Sequence, residues 1–161
     1  MEPRPRLTRS PPTTALRIRT DIRTKIATGI TTGACKGASQ QGLLLACGDP
    51  PRQPERLALA LGRSIWQLSV RNPAGELVGF VRATSDLALN ANLWNLSGHP
   101  GDPHRDQILL VLVHTALKRL RRELPGCSIS LSAPPEAVKA LSQQGFVVDP
   151  GGIRAMGLGL T

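Results

Sequence analysis

NANLWNLSGHPGDPHRDQILLVLVHTALKRLRRE, residues 90–123, holds the pattern on which the fold turns. Leu93 to Ser97 reads as a strand that stops at the turn residues His99-Pro100-Gly101. A helix follows from about Asp106 to Glu123. Its first half, Ile108 to Val113, is apolar on every side and so needs cover from more than one direction, as when a helix lies on a sheet beneath other elements. Its second half carries Lys118, Arg119, Arg121 and Arg122, cations at the end of the helix where its dipole favours them.

Elements on either side extend this unit. Upstream, Pro54 sits at a first-turn position and Glu55 to Leu61 supplies helix formers, ending near Gly62. Ile65 to Val70 and Leu77 to Val81 flank the turn Asn72-Pro73-Ala74-Gly75 and predict a β-hairpin. Downstream, Cys127 to Ser132 alternates strictly and predicts a half-buried strand. Pro134 and Pro135 open a second helix running to about Gln144, with Gly145 as its cap. Phe146 to Val148 and Ile153 to Leu158 predict two closing strands. The order is helix, hairpin, strand, helix, strand, helix, strand, strand, a mixed α/β sheet covered by helices.

Composition narrows the classes. The 161 residues suit one domain, and with only Trp66, Phe80, Trp94 and Phe146 as aromatics the core must be aliphatic. No tyrosine occurs, which excludes any mechanism that needs a phenol. No apolar run reaches the ~20 residues that span a bilayer, so a soluble chain without a transmembrane segment is expected. Cys35, Cys47 and Cys127 lie far apart without a CxxC pair, and His99, His104 and His114 form no ligand motif, so no metal site is expected. A reducing compartment fits this cysteine usage.

The net charge is +9, and residues 1–40 contribute most of it. Arg4, Arg6, Arg9, Arg17, Arg19, Arg23, Lys25 and Lys36 face only Glu2 and Asp21 there, in a Thr- and Pro-rich stretch with no apolar period. Residues 1–40 therefore read as a disordered basic tail and residues 41–161 as the folded domain. Such an arm can touch an acidic protein surface, anionic lipid or nucleic acid through charge alone. Its composition is also that of an organelle transit peptide. The expected location is the cytoplasm, or the plastid stroma if the segment is a targeting signal.

Four stretches together resemble the GCN5-related N-acetyltransferase (GNAT) superfamily, in particular its small cyanobacterial and plastid-type members. They are LVGFVRATSD (Leu77 to Asp86), NANLWNLSGHP (Asn90 to Pro100), ALKRLRREL (Ala116 to Leu124) and QGFVVDPGGIRAM (Gln144 to Met156), within a match from about Gln40 to Leu158. The resemblance implies a GNAT-like acyl-CoA N-acyltransferase fold with a site between two splayed parallel strands, here Leu93–Ser97 and Cys127–Ser132. It implies that backbone groups of Leu96, Ser97 and Gly98 hold the pantetheine arm of acetyl-CoA. The turn through Arg105, Asp106, Gln107 and Ile108 would then wrap the diphosphate at the helix N-terminus.

Three departures from the family pattern bear on activity. The family's glycine positions fall on Arg105, Gln107 and Leu109, and no glycine occurs between Gly101 and Gly126. Acetyl-CoA binding is therefore expected to be weak, with Arg105 offering a charge-assisted bond in partial compensation. Leu141 stands where many relatives carry a proton-donating tyrosine, leaving Ser142 or Cys127 as a relay. In the strand position where an acidic base is frequent, Asn95 cannot accept a proton from an amine, which leaves His99 as the nearest titratable group and Asp86 as a turn carboxylate. Three readings follow. The chain is a catalytically impaired acetyltransferase homologue, or pseudoenzyme, that binds or assembles with a protein partner; or an active acetyl-CoA-dependent N-acetyltransferase acting on an amine or protein; or a basic factor that meets nucleic acid or ribosomes through its tail and Lys118–Arg122.

Overall fold

The computed structural model describes residues 30–32, 37–152, 156 and 158, with the backbone alone for residues 30–32. In chain order the elements are β1 (Ile30–Thr32), α1 (Gly37–Ala46), α2 (Pro54–Gly62), β2 (Trp66–Arg71), β3 (Leu77–Ser85), β4 (Asn90–Gly98), α3 (Arg105–Glu123), β5 (Ser128–Ser130), a 3-10 turn (Pro135–Ala137) and α4 (Val138–Gln143). The strands form one sheet in the order β1-β2-β3-β4-β5. The first four are antiparallel neighbours and β5 runs parallel to β4.

Alternation along the strands gives the sheet two apolar faces. On one side Leu68, Val70, Val81, Ala83 and Leu93 meet Ile108, Leu109, Leu112, Val113 and Leu120 of α3. On the other, Leu77 and Phe80 meet Leu43 and Leu44 of α1 and Leu57 and Leu61 of α2. The result is a helix-sheet-helix layering with aliphatic packing throughout, apart from Phe80 and Trp66. Gln40, wholly buried, donates to Gln67 Oε1 at 3.2 Å, and Gln67 Nε2 donates to Leu61 O at 2.9 Å, so one pair of amides ties α1 to β2 and α2.

The seat of α3 is unusually close. Gly79 and Gly98 are partners across β3 and β4. A Cβ on Gly79 would overlap Ile108 Cγ2 and lie 3.1 Å from Leu112 Cδ1, and one on Gly98 would lie 3.1 Å from Arg105 Cγ. Only a backbone without side chains admits the helix at this depth.

Several expectations require correction. Of the segment 1–40 expected as a tail, residues 30–32 are described as β1 and residues 37–40 as the start of α1, while residues 1–29 and 33–36 lie outside the described residues. Helix α1 was not expected because its apolar run, Leu43 to Leu45, is too short to show a period and Gly42, a poor helix former, directly precedes it. The strand expected over Cys127–Ser132 forms only at Ser128–Ser130, where it finds backbone partners on β4. The helix expected from Pro134 divides into the 3-10 turn and α4. Phe146–Val148 forms no strand: Phe146 N–H closes α4 on Leu141 O at 3.1 Å, while Val147 and Val148 stand exposed. Of the strand expected at Ile153–Leu158, only Met156 and Leu158 are described, and neither is in regular structure.

Two outcomes follow. Gly79→Ala forces Ile108 aside and should cost about 1–3 kcal/mol in a denaturant melt, whereas Gly62→Ala, which meets open space, should be neutral or stabilising. Deleting residues 1–40 removes β1 and Gln40 and should lower the melting temperature by at least ~2–4 °C, the shift produced by about 1 kcal/mol in a chain of this size.

Candidate functional site

The strands β4 and β5 pair only from Asn90 to Asn92, against Ser128 to Ser130, and beyond that they part. A bulge in β4 marks the opening. Register with β3 shifts between Phe80 and Arg82, and Asn95 adopts φ 55, a left-handed conformation that asparagine tolerates better than most residues. Its Oδ1 accepts Arg82 Nε–H at 2.8 Å, and its carbonyl accepts the Ser97 hydroxyl at 3.0 Å.

The loop from β4 into α3 satisfies itself. His99 N–H reaches Val78 O at 2.8 Å, Gly101 N–H reaches His99 Nδ1 at 3.1 Å and Asp102 N–H reaches His99 O at 3.0 Å. His104 N–H bonds to Asp102 Oδ1 at 2.8 Å and Arg105 N–H to Asp102 O at 3.1 Å. Pro100 and Pro103 have no N–H to offer. Asp102 thus places a carboxylate just before the helix, and Asp106 adds another in its first turn, both favourable to the dipole.

Arg105 spans the opening. Its Nε donates to Gly98 O at 2.8 Å, and its Nη2 forms an ion pair with Glu136 Oε1 at 2.6 Å, in the turn that follows β5. From the other side, the Cys47 thiol at the end of α1 donates to the same Gly98 carbonyl at 3.4 Å. Burial pushes the Cys47 thiol up, an effect that Arg105 opposes and Glu136 reinforces. Cys47, Gly98, Arg105 and Glu136 therefore form one connected bridge from α1 across the end of β4 to the segment behind β5.

The resemblance puts a diphosphate at this turn, where the amides of Asp106 and Gln107 stand in the first turn of α3. Each N–H of residues 99–105 has an acceptor within the protein, carboxylates stand at the helix N-terminus, and the one nearby guanidinium is matched by Glu136. Ile108 is core, 1% exposed, with its amide on His104 O at 2.9 Å; Leu109 is wholly buried and does not line the cleft. Asp106 is exposed, and Gln107 is half-buried with an Oε1 that has no hydrogen-bond partner. Leu96, Ser97 and Gly98 are buried at the end of β4.

The residues singled out for proton transfer are dispersed. His99 holds the turn through Nδ1, Ser142 is exposed on α4, and Leu141 packs in the core at 3% exposure. Asp86 closes the β3–β4 turn: the amides of Asn90, Ala88 and Leu89 hold its carboxyl far below the usual carboxylate range. Among the described residues no group of His, Cys, Asp or Glu is placed to hold a metal ion, and no helix is long and apolar enough to cross a membrane. Arg82, Trp94, Cys47 and Glu136 escaped the sequence reading. The opposition of Arg82 and Trp94 depends on the bulge, and that of Arg105 and Glu136 on how the chain crosses over; a single sequence displays neither.

No family model matches the chain. An uncharacterized N-acetyltransferase, ycf52, of Porphyra purpurea is 34% identical over 107 residues, 66% of this chain and 60% of that protein. Serotonin N-acetyltransferase 2, chloroplastic, of Oryza sativa subsp. japonica is 36% identical over 115 residues, 68% of this chain and 55% of its own length. The chain thus spans less than two thirds of the length of either relative. Among solved structures, a GNAT family acetyltransferase of Streptococcus pneumoniae superposes with a TM-score of 0.62 at 14% identity, over 83% of this chain and 98% of that one.

Because Glu136 both raises the Cys47 thiol and anchors Arg105, Glu136→Gln should speed alkylation of Cys47 by iodoacetamide near pH 8, followed site by site in mass spectra. An unchanged rate would show that the bridge does not shield the thiol.

Proposed function

Because the chain belongs to the GCN5-related N-acetyltransferase superfamily, we propose that it retains the fold of an acetyltransferase while its own side chains occupy the cofactor cleft, so that it works as a binding or assembly protein. The observation that carries this reading is Arg105, which is committed to Gly98 O and Glu136 instead of standing free for a phosphate. The self-satisfied loop before α3 supports it, as does the core placement of Leu141, which has no proton to donate. If the Arg105–Glu136 pair opens, Leu96, Ser97, Gly98 and the turn through Ile108 are where a ligand would enter.

A second reading, an active acetyl-CoA-dependent N-acetyltransferase, is favoured by the N-acetyltransferase names of the relatives. Serotonin, the amine named for the rice relative, is an indole bearing an alkylammonium. On this chain its ring could lie on Trp94, but its charge would meet Arg82. The reading as a nucleic-acid factor draws less support. Arg119 and Arg122 both pair with Glu123, and Arg119 also lies over the Trp66 ring, 5.2 Å from its centroid, so half of that basic cluster is committed internally. The chloroplastic name of the rice relative supports the plastid stroma over the cytoplasm as the compartment.

Thermal shift of the full chain separates the first two readings. A ligand at 100 times its Kd adds ~2.7 kcal/mol, which moves a domain of this size by roughly 5–10 °C. Millimolar acetyl-CoA should leave the parent's melting temperature within about 1 °C, and Glu136→Gln should increase the response. A large shift in the parent would establish cofactor binding and favour the active enzyme.

A further inference from the structure

Among the described residues, the sheet face opposite α3 is covered only in part. Helices α1 and α2 pack over Leu77 and Phe80. Farther along the same face, Arg82 and Thr84 of β3 stand beside Asn92 and Trp94 of β4, and Ser130 of β5 bonds to Asn92 Oδ1. Trp94 is 45% exposed there, large for an aromatic in a sheet.

Both principal side chains are fixed. The Trp94 indole N–H donates to Thr84 Oγ1 at 2.8 Å, which locks the ring. The Arg82 guanidinium lies 5.7 Å from the ring centroid, with Nε on Asn95 Oδ1 at 2.8 Å and Nη1 reaching Ser64 Oγ at 3.4 Å. A guanidinium has five N–H donors, so among the described residues Nη2 and part of Nη1 take no part in the Asn95 and Ser64 bonds and face outward from them. Among the described residues, Arg82 forms no ion pair with a carboxylate, unlike Arg105, Arg119 and Arg122. It is half-buried, and that burial lowers its pKa although an arginine stays charged. A partly desolvated charge with no countercharge is costly unless an anion completes it. Asn95, the residue that aims Nε, is itself held at φ 55 in the bulge, so a strained backbone supports the guanidinium's orientation.

We propose that Arg82 and Trp94 form a binding site for a small ligand that joins an oxyanion to a planar ring. The free edge of the guanidinium takes the oxyanion by charge-assisted hydrogen bonds, and the exposed part of the indole takes the ring. The chain's net charge of +9 draws anions toward it. Carboxylate and phosphate share this chemistry. The site lies on the face away from α3 and uses none of the Arg105 bridge, so it stands whether or not the cofactor cleft is closed.

Titration of the full chain with indole-3-acetate, phenyl phosphate and tryptamine tests it, read by calorimetry and by the indole N–H signal of Trp94, assigned with Trp94→Phe. At least one of the two anions should bind and move that signal, the tighter one naming the oxyanion, while tryptamine, a similar ring with the opposite charge, should not. Arg82→Gln should weaken the bound anion at least ten-fold. Trp94→Ala, at an exposed position, should do so with the fold intact by circular dichroism. Binding of neither anion, equal binding of tryptamine, or undiminished affinity in Trp94→Ala overturns the proposal. Acetyl-CoA is absent from every titration, so failure here leaves the closed-cleft reading standing.

Discussion

The approach of α3 to the paired glycines Gly79 and Gly98 governs the rest of this structure. With no side chain on either strand, the helix sinks until Ile108 rests over Gly79, and Arg105 with Leu109 over Gly98. That depth leaves little room for the connection, so residues 99–104 fold back on themselves through His99 and Asp102. It also puts the Arg105 stem against the end of β4, from which its head meets both the Gly98 carbonyl and Glu136. Packing thus decides the electrostatics: a cation that would be mobile on a higher helix is held across the gap between β4 and β5.

Holding it there has chemical consequences. The Arg105–Glu136 pair is about three quarters buried, at 26% and 24% side-chain exposure, where an ion pair is less screened than on an open surface. A diphosphate entering from solvent would have to displace Glu136 from Arg105 and tolerate Asp102 and Asp106 nearby. Like charges oppose that exchange at the helix N-terminus, where the resemblance puts the anion. The bulge at Asn95 acts in the other direction. By rotating one residue of β4 it aims a side-chain oxygen at Arg82 and leaves Trp94 exposed on the face away from α3. One strand therefore supplies a partner to both arginines, the Gly98 carbonyl to Arg105 and the Asn95 side chain to Arg82.

Much of the fold was legible before any coordinates, because it rests on local pattern. The apolar run Ile108 to Val113 required a helix laid on a sheet, Asn72 to Gly75 required a turn, and Pro54 with Glu55 opened a helix at the expected place. Those signals act within a few residues and survive in a single sequence. The loss of glycine from the turn into α3 and of tyrosine at Leu141 was equally plain, since the absence of a side chain or a hydroxyl is a property of composition. Elements whose existence depends on distant partners were not legible. Helix α1 has a weak pattern and is made by burial of Gln40, Leu43 and Leu44 on strands that lie far along the chain. Phe146 to Val148 has the residues of a strand but finds no neighbour to pair with among the described residues, and strand propensity without a partner yields none.

The amino-acid sequence by itself determined the layered α/β class, the aliphatic core, the basic charge and the departures from an acetyltransferase's cofactor turn, all carried by residue type and near spacing. Only the tertiary structure decided what replaces the missing contacts. Arg105 and Glu136 are 31 residues apart and Arg82 and Asn95 are 13, and these pairs meet because a helix sits low on two glycines and a strand bulges by one residue. Side-chain direction at a site is set by such sub-residue geometry, to which hydrophobic periodicity is blind.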